Sequence, residues 1–351
     1  MRSAALAFVL FAACGPKPAA TGLVIHDENG TRPPAAPTLP PADYEAARQQ
    51  VLDEAHRVRA QIEAGDADGL FARFSPEMAT AVPLNQVTPM VKGMAAAGGF
   101  TRVANERAVP ISPRVRTYVA DVTMAGSELA MAVAFDAGWK IAGIQFSGIP
   151  EIPPPGEGPP VGLPFPAAGA WWVFWGGDDP RDNYHVINAA QRHAYDLTVW
   201  RDGSTFGGDG TRNEDYHCFG VAIEAPVDAT VTEVVSDLPD NEPGVMDPTN
   251  AAGNHVMLEV APGRYLMLAH LQHGSVVLHE GDEVRRGAIV GRCGNSGNTS
   301  EPHLHAHVQD RPHFGDPEAK GIPLQFTSVF VDGARLPVAV PIRGRFVQRA
   351  P

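Results

Sequence analysis

Positive charge is what this chain has least of. Against 40 aspartates and glutamates stand 27 lysines and arginines, a formal net charge of −13 over 351 residues. That balance repels nucleic acid and anionic lipid headgroups, so neither is expected as a partner surface. The N-terminal apolar run, Ala4 to Ala13, falls short of the about 20 residues that a membrane-spanning helix needs. Cysteine is scarce too, occurring only as Cys14, Cys218 and Cys293. What the chain does have is a 44% hydrophobic composition and enough length for two domains with real cores.

The first residues, "MRSAALAFVLFAACGPKPAA", combine one basic residue, a short apolar run and small residues before Cys14. They read as an export signal and resemble a bacterial lipoprotein signal. The expectation is therefore an exported protein of the cell envelope, held at the periplasmic or outer membrane through a lipid on Cys14. With Cys14 used by the lipid, Cys218 and Cys293 are left as a pair, and outside the cytoplasm such a pair is expected to be a disulfide. Residues 15–42 are rich in Pro, Ala and Thr with no hydrophobic period, which suits an extended tether.

A first folded unit is expected over residues 43–149. Tyr44, Ala47, Val51, Ala55, Val58 and Ile62 recur at three- and four-residue spacing, an amphipathic helix from Ala42 to Ala64. A second short helix follows "GDADGLFARFSP", and "RTYVADVTMAGSELAMAVAFDAGWKIAGIQFSG" alternates as a three-stranded meander. Helices followed by an antiparallel meander make an α+β unit. "SELAMAVAFDAGWKIAGIQF" resembles the nuclear-transport-factor-like domains attached to some exported serine hydrolases. That resemblance implies a binding or spacer module.

Residues 150–166 are proline-rich and read as a stiff linker. From residue 167 to 335 glycine turns separate short apolar runs, so an all-β domain is expected, with residues 336–351 as a tail. Eleven of the 13 histidines fall between His185 and His313, which places the chemistry in this second domain.

Within it, "GNSGNTSEPHLHAHVQD" puts His303, His305 and His307 at every second position of a strand, hence on one face. Two such imidazoles can reach one metal ion. "NYHVINAAQRHAYDLTVW" adds His185, His193 and Asp196, and "YLMLAHLQHG" adds His270, expected to share a face with Leu266 and Leu268. The glycine-rich turn "GRCGNSGNTS" is expected to form the pocket floor. "WWVFWGG" is expected to be core more readily than substrate groove.

"EAPVDATVTEV", "YLMLAHL" and "GDEVRRGAIVGRCGNSGNTSEPHLHAHV" resemble, in order and spacing, the lysostaphin-type zinc endopeptidases, over roughly half of the chain. The resemblance implies an all-β peptidase domain, one Zn²⁺ per chain, and hydrolysis of peptide bonds in peptidoglycan. Carried over residue by residue, it implies Asp196 and His305 as ligands and His270 and His303 as the catalytic imidazoles. His307 lies outside the motif. The family's first ligand stands four residues before the aspartate, where this chain has Arg192. His185 is preferred to His193 for that role.

Two other readings compete. A catalytically inactive relative would bind peptidoglycan or activate an amidase, but the retention of Asp196, His270, His303 and His305 favours an enzyme. "EAPVDATVTEV" and "GDEVRRGAIVG" also resemble the halves of a lipoyl- or biotinyl-type carrier. Carriers need a hairpin lysine, and there is no lysine between Lys140 and Lys320.

Overall fold

The computed structural model describes residues 40–112, 115–151 and 158–351. The expected signal, Cys14 and nearly all of the expected tether lie outside the described residues, as does the centre of the proline-rich stretch.

Four helices come first: α1 (Ala42–Glu63), α2 (Ala67–Phe71), α3 (Pro76–Ala81) and α4 (Leu84–Ala96). Asp66 and Ser75 cap α2 and α3 by accepting from Gly69 and Met78 backbone N–H groups. The strands β1 (Phe100–Ser112), β2 (Val115–Met124), β3 (Ser127–Phe135) and β4 (Ile141–Gly148) follow as an antiparallel meander in sequence order. α1 buries Tyr44, Val51, Ala55, Val58 and Ile62, the stripe its periodicity predicts. It packs with Tyr118, Ala120, Val122, Met131, Val133 and Phe135, from one face of the meander, into a single apolar core.

The expected meander lacked β1. "FTRVANERAVPIS" is polar and carries Pro110, and its register against β2 shifts at three places. Each bulge flips the alternation that marks a strand in sequence.

The second region is one large sheet with a separate two-stranded ribbon, Ala222–Glu224 against Ile289–Arg292. Its central strands run Asn254–Ala261, Arg264–Leu271, Leu304–Gln309, Tyr195–Thr198, Ala170–Trp175, Phe346–Arg349 and Leu324–Val331 as hydrogen-bonded neighbours. The expected hairpin around Gly263 is the Asn254–Ala261 and Arg264–Leu271 pair. Leu197, Leu268, Leu304, Ala306 and Val308 point into its main core with Trp171. Trp171 and Trp172 are both fully buried, so they are core and not groove lining.

Two expected boundaries are corrected. Val161–Pro164, inside the supposed linker, pairs in parallel with Leu324–Val331, because Leu163 and Phe165 bury in the core. Phe346–Arg349, inside the supposed tail, is an interior strand with Phe346 and Val347 buried on opposite faces.

Tyr44, Val109, Trp172, Trp200 and Phe346 form a third cluster that joins the helical region to the sheet. The Tyr44 hydroxyl donates to the Gly344 carbonyl at 2.8 Å. Arg107 bridges Asp179 and Asp182, while Arg181 pairs with Asp121 and Asp179. Among the described residues no helix is long and apolar enough to cross a membrane.

Candidate metal centre

Three neighbouring strands and one turn assemble the site. His305 sits on the Leu304–Gln309 strand, directly opposite Asp196 on one side and Ala269 on the other. His185 comes from a short 3-10 turn, Tyr184–Ile187, whose N-cap is Asn183. Ligand-capable atoms of His185, Asp196 and His305 lie within 4.8 Å of one another, and all three residues are buried. Around the Asp196 Oδ1 stand His305 Nδ1 at 2.9 Å, His303 Nε2 at 3.5 Å and His185 Nε2 at 3.6 Å. His193 does not join them; its Nδ1 meets Asp178 at 2.8 Å.

The outer hydrogen bonds decide which ring nitrogens carry protons. Gln309 Nε2 donates to the carbonyls of Arg311 and His313, so its Oε1 is left to accept from His307 Nε2–H at 3.1 Å. A neutral His307 then accepts at Nδ1 from His305 Nε2–H, 2.9 Å away. His305 Nδ1 is thereby a bare lone pair. Asn183 works in the same way: its amide donates to Gly177 and Ala194, and its Oδ1 accepts from His185 Nδ1–H at 2.9 Å. His185 Nε2 is the second bare lone pair.

Two lone pairs therefore converge on a carboxylate, and acceptors 2.9 Å apart repel unless they share a cation. A proton serves one such contact; a divalent ion serves all three donors. Tetrahedral Zn²⁺ with bonds of 2.0–2.1 Å separates its ligand atoms by roughly 3.3 Å, close to the spacing here. A His/Asp/His donor set with hydrogen-bonded outer partners is also the chemistry that zinc prefers. The residues fit the metal.

The electrostatics agree. Burial alone would raise the Asp196 pKa, but His185, His303 and His305 overcome it and hold the carboxyl well below its usual range. Burial draws His185 down to about 4 and His307 to about 3, so both rings are neutral, as ligands and their supports must be.

His270 arrives by an unexpected route. Strict alternation would put it on the core face with Leu266 and Leu268. Instead His270 has φ +59° within a register shift between Asn254–Leu271 and Val256–Leu268. That bulge returns Leu271 to the core and turns His270 onto the opposite face, 4.7 Å from the His303 ring and 5.8 Å from the His305 ring. A non-glycine residue held at positive φ costs about 1–3 kcal/mol. The expenditure places an imidazole that a regular strand would misdirect. His270 Nδ1–H donates to the Ser296 carbonyl and His303 Nδ1–H to the Glu301 carbonyl, both at 2.9 Å, so each Nε2 faces the site. Burial keeps His270 neutral, whereas at His303 burial is outweighed by Asp196, which raises the ring's pKa to about 9 and favours a proton on Nε2.

The glycine turn does hold the floor. A Cβ on Gly253 (φ +60°) would lie 2.1 Å from the Ser296 carbonyl oxygen, the atom that orients His270. The expected Cys218–Cys293 disulfide is not formed. Both thiols are buried and free, with Cys218 Sγ donating to the Pro302 carbonyl at 3.0 Å and accepting from Thr198 Oγ1 at 3.4 Å.

Sequence reasoning missed the supports: Asn183, Gln309, Thr299 beside His303 Nδ1 at 3.0 Å, and Tyr184, whose ring lies 3.9 Å from that of His185. Asn183, two residues before His185, carried a signal in the asparagine that precedes the turn. Gln309 carried another, since it continues the period-two series of His303, His305 and His307.

Buried imidazoles and one carboxylate above an apolar strand are the groups that a metallohydrolase type of centre uses. Residues 215–317 match the family model described as Peptidase family M23. The match includes His270, His303 and His305; His185 and Asp196 lie before it. Among solved structures the chain is similar to a zinc containing peptidase from Vibrio cholerae (14% identity, TM-score 0.28, 57% of this chain and 53% of that one). It is also similar to the antimicrobial peptidase lysostaphin from Staphylococcus simulans (18%, 0.24, 36% and 40%). The M23 metalloprotease pseudoalterin from the deep sea matches as well (13%, 0.31, 53% and 99%). The chain thus spans about half the length of the first of these and less of the second. No curated protein sequence matches it.

Proposed function

We propose that the chain is a zinc-dependent endopeptidase that cleaves peptide bonds in peptidoglycan stems or cross-links, exported to the cell envelope and anchored through Cys14. The observation that carries it is the pair of lone pairs, His185 Nε2 and His305 Nδ1, fixed by Asn183 and by His307 with Gln309 to face Asp196. His185, Asp196 and His305 hold the metal, one per chain. Zinc bound there supplies Lewis-acid polarisation of a peptide carbonyl and acidifies water. The chain's own groups do the rest. His270 and His303 present Nε2 on the same side: the ring unprotonated there accepts the proton of the attacking water, and the ring protonated there donates to the oxyanion or hands that proton to the leaving amine. Both rings are held rigidly through Nδ1, so neither must reorient during the reaction.

The helices and meander of residues 43–149, which resemble a nuclear-transport-factor-like fold, act as a binding or spacer module. The test is digestion of purified muropeptides by the full chain with and without a chelator, alongside His305→Ala and His303→Ala. Release should stop with chelator and with His305→Ala, which also loses zinc. His303→Ala should keep zinc and lose about 10²–10⁴ in turnover. Zinc binding without any muropeptide cleavage would favour the inactive, peptidoglycan-binding reading.

A further inference from the structure

Away from the metal centre a cavity of about 450 Å³ opens on the face of the meander that turns away from the helical core. β2 and β3 bury Tyr118, Ala120, Met131 and Val133 beneath the helices, so Val119, Ala132 and Ala134 face the other way, into the cavity. Thr117, Gly143 and Gln145 share that face, while Met78, Val82 and Ile144, which pack against the helical core, border the cavity at the edge of β4. The volume lies within the roughly 300–1,000 Å³ of small-molecule sites.

The far wall comes from the peptidase region and is different in kind. Trp175 and Arg343 close it, with the guanidinium stacked 3.9 Å from the centre of the indole ring. Arg343 Nε is buried without a hydrogen-bond partner. The carboxylate whose charge it feels, Asp182, is already bonded to Arg107 Nε at 2.9 Å. Burial draws the guanidinium pKa down to about 10 against the pull of Asp182, as expected of a cation short of counter-charge. Backbone bonds from Arg343 to Gly176 and from Gly344 to Val173 hold the segment in place.

An apolar chamber with one under-compensated, pre-positioned cation at its end is complementary to an amphiphile with a single anionic terminus. We propose that this cavity binds an aliphatic monocarboxylate, its chain lying along Val119, Ala132 and Ala134 and its carboxylate accepting from Arg343. Trp175 places the site next to the chemistry. It pairs with Asp196 across the sheet, and its ring meets that of Tyr184 at 5.4 Å, which in turn covers His185. A bound acyl chain would therefore stiffen the support of the first metal ligand.

The experiment is calorimetric titration of the full chain with decanoate below its micelle concentration, with 1-decanol as the uncharged control. Decanoate should bind at one saturable site, and decanol about tenfold or more weakly, since a charge-assisted hydrogen bond is lost. Arg343→Gln should weaken decanoate by a similar factor. Ala132→Phe, which fills the chamber from an already half-buried position, should abolish binding while leaving the thermal midpoint within a few degrees. Absence of saturable binding, equal affinity for decanol, or unchanged binding to a folded Ala132→Phe variant would each overturn the proposal. None of these readouts depends on peptidase activity.

Discussion

The helical region and the sheet region solve opposite problems of burial. Beneath α1 the interior is Val51, Val58, Leu70, Tyr118, Met131 and Phe135, and charge is kept to rim pairs such as Arg59–Glu106 and Arg73–Glu54. On the Leu304–Gln309 strand, one face (Leu304, Ala306, Val308) is equally apolar, while the other buries His305, His307 and Gln309 in succession. Buried polar groups are tolerated only when each finds a partner. In the first region the interior merely stabilises. In the second, satisfying each polar group in turn fixes proton positions, and the leftover lone pairs become the site.

Altering each region in turn tests that contrast. Asp196→Ala removes the group on which the ring nitrogens converge and should abolish zinc retention, measured by metal analysis after dialysis, with activity down about a thousandfold or more. Leu70→Ala, in the apolar interior, should do the reverse. It should cost about 2–5 kcal/mol in denaturant unfolding and leave zinc content unchanged.

Glu301 tests a buried polar group that the network does not serve. Its Oε1 has no partner, and burial raises its pKa to about 7 against the pull of His303. The folded state thus holds a proton that the unfolded chain releases near pH 4.5, so stability falls as pH rises from about 4.5 to 7. Glu301→Gln should remove that decline, about 3 kcal/mol, seen as a flatter stability profile relative to the parent. His307→Ala breaks the network one step behind the ligand and should weaken zinc binding about 10–100-fold, read by chelator competition. A His307→Ala variant with unaltered zinc affinity would deny that the second imidazole sets the first.

Much of the site was legible because period-two spacing places His303, His305 and His307 on one face whatever the tertiary context. The helix α1 was legible for the same reason of local periodicity, whereas Asp196 was singled out by the family resemblance. His270 was singled out by motif, but its face was wrong, because a bulge is a backbone event between two strands and leaves no mark in one. β1 was invisible for that reason as well. Asn183 and Gln309 act through partners distant in sequence, among them Gly177 and His313, which no window of residues brings together. The disulfide was expected from count and compartment, which do not tell a bonded pair from two adjacent free thiols such as Cys218 and Cys293, whose side chains are in hydrogen-bond contact.

The hydrogen-bond chain behind His305 ends on the carbonyls of Arg311 and His313, in the peptide that leaves the strand. With zinc held as proposed, metal affinity would be answerable to a surface turn that never touches the ion. Variation in that turn would let the protein be tuned toward tighter or looser metal retention while every ligand stays the same.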